Sequence, residues 1–475
     1  MYPWHMQIKR GAPGLRMAIT VLAFVSFVAH AQAADPTLVV TLSQMVDQAL
    51  TSGPGILISR ATVAIAQAQY TQAAAANSLG LTGTASATHQ GAPYDTRLLA
   101  LGQSAFAQDT GQAGLSLSAP LSTSLNVTAG HTLTEEATPA QTSALSVSAS
   151  ATLWDGYPGG SNLAATRKAA LSLQGTQSSE DANRNTIIYQ VKQAYYTLLA
   201  AQRQFEIYQG TLAQRQQESI KTQALFGAHS ASQIDIKQAQ VNQKQAELDL
   251  RLAQGTLEVD REKLSALAGW PLDRVYQVAE VGDLPLPSLD VAAAVARALA
   301  QRSDMRQLML SQASTDIDLA LNKGKATPTV KASSGLTYTH DWSRSTDVFS
   351  WNAGVNVAAP IYDAGSIDAQ VRQAAMQKDS YTLQQQQLAS SIATDVKNAL
   401  YSLRDLIGRV ELAQESLDLA QSQYDLASLQ YDSGVNSNLD VLTASVALTT
   451  ARVNEGKARS DAQLGVLALQ NTMGE

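Results

Sequence analysis

Two kinds of hydrophobic patterning run along this chain, one of period seven and one of period two. Val396, Leu403, Val410, Leu417, Tyr424 and Tyr431 recur every seven residues, with Ala399, Leu406, Ala413, Ala420 and Ala427 in step beside them. An earlier stretch has the same arrangement. Val191, Leu198, Phe205, Leu212 and, past Ser219, Phe226 form one seam; Ala194, Ala201 and Tyr208 form the other. A sustained seven-residue period demands supercoiled packing against neighbouring helices, and alanines alternating with large side chains suit knobs-into-holes contact. The period-two runs are Leu125, Val127, Ala129, His131, Leu133; Leu145, Val147, Ala149, Ala151, Leu153; and Phe349, Trp351, Ala353, Val355, Val357. Apolar residues alternating with small polar ones predict half-buried strands.

The whole pattern occurs twice. From about Thr41 to Trp270, and again from Asp290 to the end, the chain reads as helix, β-rich segment, very long helix, tight turn, helix. Leu42, Val46, Ala49 and Leu50 align without a gap on Val291, Val295, Ala298 and Leu299. The junction Leu153-Trp154-Asp155-Gly156 recurs as Ile361-Tyr362-Asp363-Ala364-Gly365, and the turn Ser232-Gln233-Ile234-Asp235-Ile236 as Ser437-Asn438-Leu439-Asp440-Val441. An internal duplication this long makes each half a structural unit. The expected division is a first repeat over 34–270, an equatorial linker over 271–290 containing Pro271, Pro285 and Pro287, and a second repeat over 291–475.

Helix lengths carry the architecture further. The segments Ser161–Gln223 and Ser366–Gln430 predict helices of roughly 64 residues, about 95 Å each. The segments Leu42–Asn77, Ser232–Ala268, Val291–Ala326 and Ser437–Asn471 are each about 36 residues, so two stacked short helices match one long one. That is the wall of a tube, with the linker at mid-height on its outside.

The second half has two alternating runs, Val330–Trp342 and Phe349–Tyr362. The first half has four, Leu79–Gln90, Leu115–Leu121, Leu125–Leu133 and Leu145–Trp154, and which of them form a wall is open. The last two are adjacent across a short polar turn and are the preferred pair, giving four strands per chain. Four strands cannot close a barrel, and an open sheet in lipid leaves backbone groups unpaired at several kcal/mol each. The expected fold is therefore an α+β membrane protein: a trimeric twelve-stranded β-barrel continued by a coiled-coil barrel of twelve helical columns, with an internal two-fold repeat.

Composition narrows the setting. Residues 1–33 read as a secretory signal peptide, with Lys9, Arg10 and Arg16 before the apolar stretch Met17–Ala29 and Ala31-Gln32-Ala33 at the cleavage site. The leader holds three basic and no acidic residues, so the formal charge of −7 becomes −10 after cleavage, which argues against nucleic acid as a partner. There is no cysteine, hence no disulfide, thiolate metal site or lipid-bearing N-terminal cysteine.

Together these features resemble the TolC-like outer-membrane efflux family over nearly all of the mature chain. The resemblance is carried by the duplicated β-to-helix junction, by Tyr431-Asp432-Ser433-Gly434 followed by Leu439-Asp440-Val441-Leu442, and by Thr327-Pro328-Thr329-Val330 at the entry to the second β-segment. The first half departs there, with Ser78-Leu79-Gly80-Leu81. The resemblance implies a homotrimer in the outer membrane of a Gram-negative bacterium, reaching through the periplasm, and surrounded by outer-membrane lipid. As the exit duct of an efflux pump or type I secretion system, it would work with a periplasmic adaptor (a membrane fusion protein) and an inner-membrane transporter of the RND, ABC or MFS class. A non-conducting periplasmic coiled-coil structural or adaptor protein is the competing reading, opposed by the alternating strands.

Enzyme chemistry finds no support, and no cofactor is expected. His89, His131, His229 and His340 have no serine or carboxylate at motif spacing, and Gly156-Tyr157-Pro158-Gly159-Gly160 lacks the Gly-Lys-Ser/Thr of a phosphate loop. The tip turns are the candidate site. Ser232…Asp235 and Ser437…Asp440 have the spacing of a helix cap, where a carboxylate also favours the dipole. Three copies of Asp440 at a tapering tip would equally make a cation-preferring ring. By resemblance Asp440 belongs to an acidic constriction whose second acidic position is Thr443 here. Tyr431 and Asp235 match residues that latch neighbouring tip hairpins, and Asn436 stands where the family has a basic partner. Tyr338, Trp342, Phe349 and Trp351 are candidates for a membrane-interface belt.

Overall fold

The computed structural model describes residues 38–91, 107–119, 123–135, 140–228, 231–282, 290–433, 435 and 438–474. The predicted signal peptide, His229, Gly434, Asn436, Ser437, Pro285 and Pro287 lie outside these residues. Everything described from Val39 onward belongs to one compact unit.

In chain order the first half comprises β1 (Leu38–Val40), α1 (Leu42–Ser52), α2 (Pro54–Ala75), β2 (Gly80–Gly91), β3 (Ala107–Ala119), β4 (Thr123–Glu135), β5 (Ala140–Trp154), α3 (Ser161–Gly227) and α4 (Gln233–Ala268). Next come β6 (Tyr276–Val278), α5 (Val291–Gln301), α6 (Ser303–Gly324), β7 (Thr329–Asp341), β8 (Thr346–Ala358), α7 (Ser366–Asp432) and α8 (Asn438–Met473). Helix lengths match half for half: 11 and 22 residues before the strands, then 67 and 36 after them.

Two expectations about the short elements need correction. The segments Leu42–Asn77 and Val291–Ala326 are not unbroken helices. Pro54, without an amide hydrogen and restricting the residue before it, forces Gly53 into an extended conformation, and the α1 and α2 axes bend by 40°. In the second half Arg302 takes the extended conformation instead (ψ 131°), with its guanidinium held 2.7 Å from Asp304. The linker, in turn, contains β6, which pairs with β1. Tyr276 and Val278 are buried there in a core with Met45, Val191, Tyr195, Leu198 and Leu264. The Tyr195 hydroxyl, pushed up to about 12 by burial, lies 3.1 Å from the Val40 carbonyl and 2.8 Å from that of Ala279.

The larger correction concerns the sheet. Six strands form it, in the order β2-β3-β4-β5-β7-β8, all neighbours antiparallel. The first half contributes four and the second half two, so the sheet has six strands where four per chain were expected. The expected neighbours β4 and β5 do pair, with Val127 opposite Val147, but β3 is equally paired to β4 from Ala107–Glu135 to Ala119–Thr123. Every alternating run of the first half found a partner, because a strand left out of the ladder would forfeit its backbone hydrogen bonds.

Register decides the character of the two faces. Leu81, Leu117, Leu125, Ala149, Ser334 and Ala353 lie side by side across all six strands, as do Leu115, Val127, Val147, Leu336 and Trp351 across five. These rows are apolar and mostly exposed, while the end of the same face toward the β7–β8 turn carries His89, Asp109, His131, His340 and Asp347. Thr84, Gly114, Thr128, Ser146, Thr337 and Ser350 make a row on the other face. That face is almost entirely Ser, Thr, Asn, Gln and Gly, with Lys331 and Asp341 its charged members among the described residues.

Candidate functional site: wall edges and tip

Below the sheet, the helices form one layer of four columns. Near the tip the packing order is α4-α3-α8-α7, and nearer the sheet it is α2-α3-α6-α7. The seam residues fall on the internal contacts. Val191, Leu198, Val396 and Leu403 are fully buried, while Phe205, Leu212, Val410, Leu417 and Tyr424 are partly buried. Phe226, at the tip, is exposed.

The outermost columns carry a second set of apolar seams that the sequence reading did not single out. On α4, Ile234, Val241 and Leu248 are exposed at seven-residue spacing; on α7, so are Leu412, Leu419 and Leu426. Nearer the sheet, Ile58 and Ile65 on α2 and Met376 and Leu383 on α7 repeat this. Leu412 is 68% and Leu419 72% exposed, against 0% for Leu403 one face round the same helix. The signal was present in the sequence as an additional heptad position, but periodicity alone does not say which seam faces which neighbour.

The sheet is joined to the helices by two equivalent turns. Asp155 accepts hydrogen bonds from the Ser161 amide at 2.7 Å and the Tyr157 amide at 3.3 Å, and Asp363 accepts from Ile367 at 2.6 Å and Gly365 at 3.0 Å. Both carboxyls sit below the ordinary range: at Asp155 burial opposes this and the hydrogen bonds from Ser161 and Tyr157 outweigh it, and at Asp363 the Ile367 amide leads. Each aspartate thus satisfies orphan amides at the start of a 67-residue helix. Gly156, at φ 90°, lies so close to Gly324 that a Cβ on either would meet the other's backbone.

At the tip, Asp235 is a cap. Ser232 and Asp235 form a reciprocal capping box, the Ser232 amide donating to the carboxylate at 2.8 Å and its hydroxyl at 2.7 Å. The Ser232 hydroxyl and then its amide hold the Asp235 carboxyl below its usual range. Asp440 is exposed in the first turn of α8. Tyr431 is half-buried against Val441 and Ala444, and the Lys221 ammonium of α3 lies 5.2 Å from its ring centre.

A polar knot higher up joins the two hairpins. The Gln214 amide nitrogen, with two hydrogens to donate, lies 2.8 Å from the Tyr424 hydroxyl, 3.0 Å from the Ser445 hydroxyl and 3.0 Å from the Glu218 carboxylate. Arg215, buried, pairs with Glu218 at 2.8 Å. Burial, and then the Glu218 charge, raise the Tyr424 hydroxyl. Sequence reading placed Tyr424 on a seam and missed Gln214, Arg215, Glu218 and Lys221, because polar residues on a long helix carry no mark of facing a second hairpin.

His89, His131 and His340 do acquire partners, through sheet register. His89 Nδ1 is 2.5 Å from Asp109, His340 Nδ1 2.7 Å from Asp347, and His131 Nδ1 2.9 Å from the Ser143 hydroxyl. They are separate pairs. Among the described residues no cluster of His, Asp and Glu is placed to hold a metal ion. Tyr338 lies opposite Phe349 and Leu336 opposite Trp351 on the apolar face, with Trp342 following β7.

An amphipathic antiparallel sheet is here continued by paired helical hairpins. This chain belongs to the outer membrane efflux protein family, whose profile matches residues 45–270 and 294–475. It is 24% identical over 289 residues to the probable outer membrane lipoprotein SilC of Salmonella typhimurium, a match covering 57% of this chain and 60% of SilC. It is also 24% identical over 307 residues to the outer membrane protein TolC of Vibrio cholerae serotype O1, covering 62% of this chain and 68% of TolC. The match thus spans less than two thirds of SilC. Among solved structures, CusC superposes with a TM-score of 0.71 at 18% identity, over 94% of this chain and 95% of CusC. The family is one of outer-membrane efflux channels rather than enzymes.

Proposed function

We propose that this chain is one protomer of a trimeric exit duct, a passive conduit across the outer membrane and periplasm for cargo driven by an inner-membrane transporter. One observation carries the reading: every layer ends in an unsatisfied edge. Exposed heptad seams on α4 and α7, and on α2 and α7 above them, match what a like copy would bury. The sheet has an apolar face for lipid and a hydroxyl-rich face for water, as a membrane barrel requires. Its strands of 12 to 15 residues are long enough to span a bilayer when tilted. Aromatics on the apolar face near the β7–β8 turn, with Trp154 at the opposite end, fit interface belts.

The matched helix lengths support an internal two-fold repeat, 34–270 and 291–475. A groove between hairpins, lined by Tyr208, Asn242, Gln245, Asp249, Val446 and Asn454, gives a periplasmic adaptor a place to dock. At the tip, Asp440 forms the acidic constriction, and Tyr431 and Asp235 stand at the latch with the Gln214 knot. The position of Asn436 in the latch lies outside the described residues. Native mass spectrometry of detergent-extracted protein should give three chains, and planar bilayers should register channels. A monomer with intact β-structure, or a trimer that never conducts, overturns the proposal.

A further inference from the structure

We infer that three copies close an eighteen-stranded wall, β8 of each copy pairing with β2 of the next. The inference rests on the trimeric reading above. The sheet's free edges are β2 and β8. With six strands alternating in direction, these edges run oppositely, so β8 of one copy meets β2 of the next antiparallel. They are 12 and 13 residues long, and among the described residues neither has a strand partner on its outer side. A four-stranded wall is blocked: the edge of β4 that it would need is already paired with β3 along all of β4. Opening that ladder in lipid would expose a row of backbone groups at several kcal/mol each.

The strand count sets the girth of the wall. Strands about 4.8 Å apart and tilted about 40° each take roughly 6.3 Å of girth, so eighteen give about 110 Å and twelve about 75 Å. Twelve helical columns at about 8–10 Å spacing need roughly 95–120 Å. Eighteen strands match the centre-line girth of that ring, and twelve fall inside it. The added pair β3–β4 enters and leaves at one end of the sheet, leaving β2 and β5 still attached to α2 and α3. Because the polar face is nearly free of charge, this wide barrel does not sort cargo by charge; that task falls to the narrow tip.

The chain has no cysteine, which makes disulfide mapping clean. With Val355→Cys in β8, a second cysteine is placed in turn at outward positions of β2 (Leu81, Gly83, Ala85, Ala87) or of β4 (Leu125, Val127, Ala129). Oxidation in outer membranes should give covalent trimers from a β8–β2 pair and none from β8–β4. Trimers linked through β4, or a native trimer linked through neither, overturn the eighteen-strand wall. Absence of any trimer by native mass spectrometry would instead sink the trimeric reading. As an independent measure, exclusion of neutral polymers added from the outer side should fall by about a third in cut-off diameter when residues 107–135 are deleted. An unchanged cut-off in a conducting deletion variant also overturns the wall.

Discussion

The helices of the two halves agree residue for residue in length, whereas the strands do not agree even in number. Eleven, 22, 67 and 36 residues recur in order, yet four strands face two. The difference follows from how each layer is held. A column packed by knobs into holes is tied to its neighbours at every turn, so a change of length in one helix is felt in all. A meander accepts strands in pairs, because an up-down pair preserves the direction of everything that follows. Length is therefore constrained in the helical wall, and girth is adjustable in the sheet.

The sharpest break of this comparison lies in the buried seam. Leu403→Asp places an unpaired charge at a fully buried contact and should cost several kcal/mol, abolishing assembled protein. Val410→Asp, at a partly buried site, should cost less, and Gln414→Asp, on the exposed face, should be mild. Extraction yield and thermal melting rank the three; equal tolerance would mean that the helical layer is not register-locked.

The outer seams are expected to separate assembly from folding. Leu412→Glu with Leu419→Glu should dissolve the trimer in native mass spectrometry while circular dichroism keeps its helical signal. Loss of helicity along with assembly would put these residues in the protomer's own core.

Smaller effects are expected at the tip. Gln214→Ala removes hydrogen bonds between hairpins worth about 0.5–1.5 kcal/mol each and, combined with Tyr431→Phe at the proposed latch, should raise single-channel conductance severalfold. Asp440→Asn removes one carboxylate per copy; cation preference and block by divalent ions should weaken, with conductance otherwise little changed. Unchanged selectivity would return Asp440 to a capping role.

The least effect is expected from the Ser232–Asp235 box. Asp235→Ala should cost about 1 kcal/mol of local helix stability, read as faster amide exchange near 231–240. The carboxyl titrates below its ordinary value, so its contribution is complete above about pH 4 and disappears as pH falls through the lowered value. Protection of that turn, taken relative to the intrinsic exchange rate at each pH, should therefore fall in acid in the wild type and not in the variant.

Much of the molecule was legible from residue order alone. Heptads at Val396 and Leu403, alternation at Leu145 and Val147, the duplicated junction aspartates and the Ser232–Asp235 cap are local patterns whose meaning is set by the helix and strand periods. What needed the fold was pairing. The sequence does not say that Leu115 lies beside Val127, that His340 meets Asp347, that Gln214 reaches Tyr424, or that six strands rather than four share one sheet. Those contacts join residues far apart in the chain. Their free energy depends on which backbone edges and side chains are brought together, and only tertiary packing decides that.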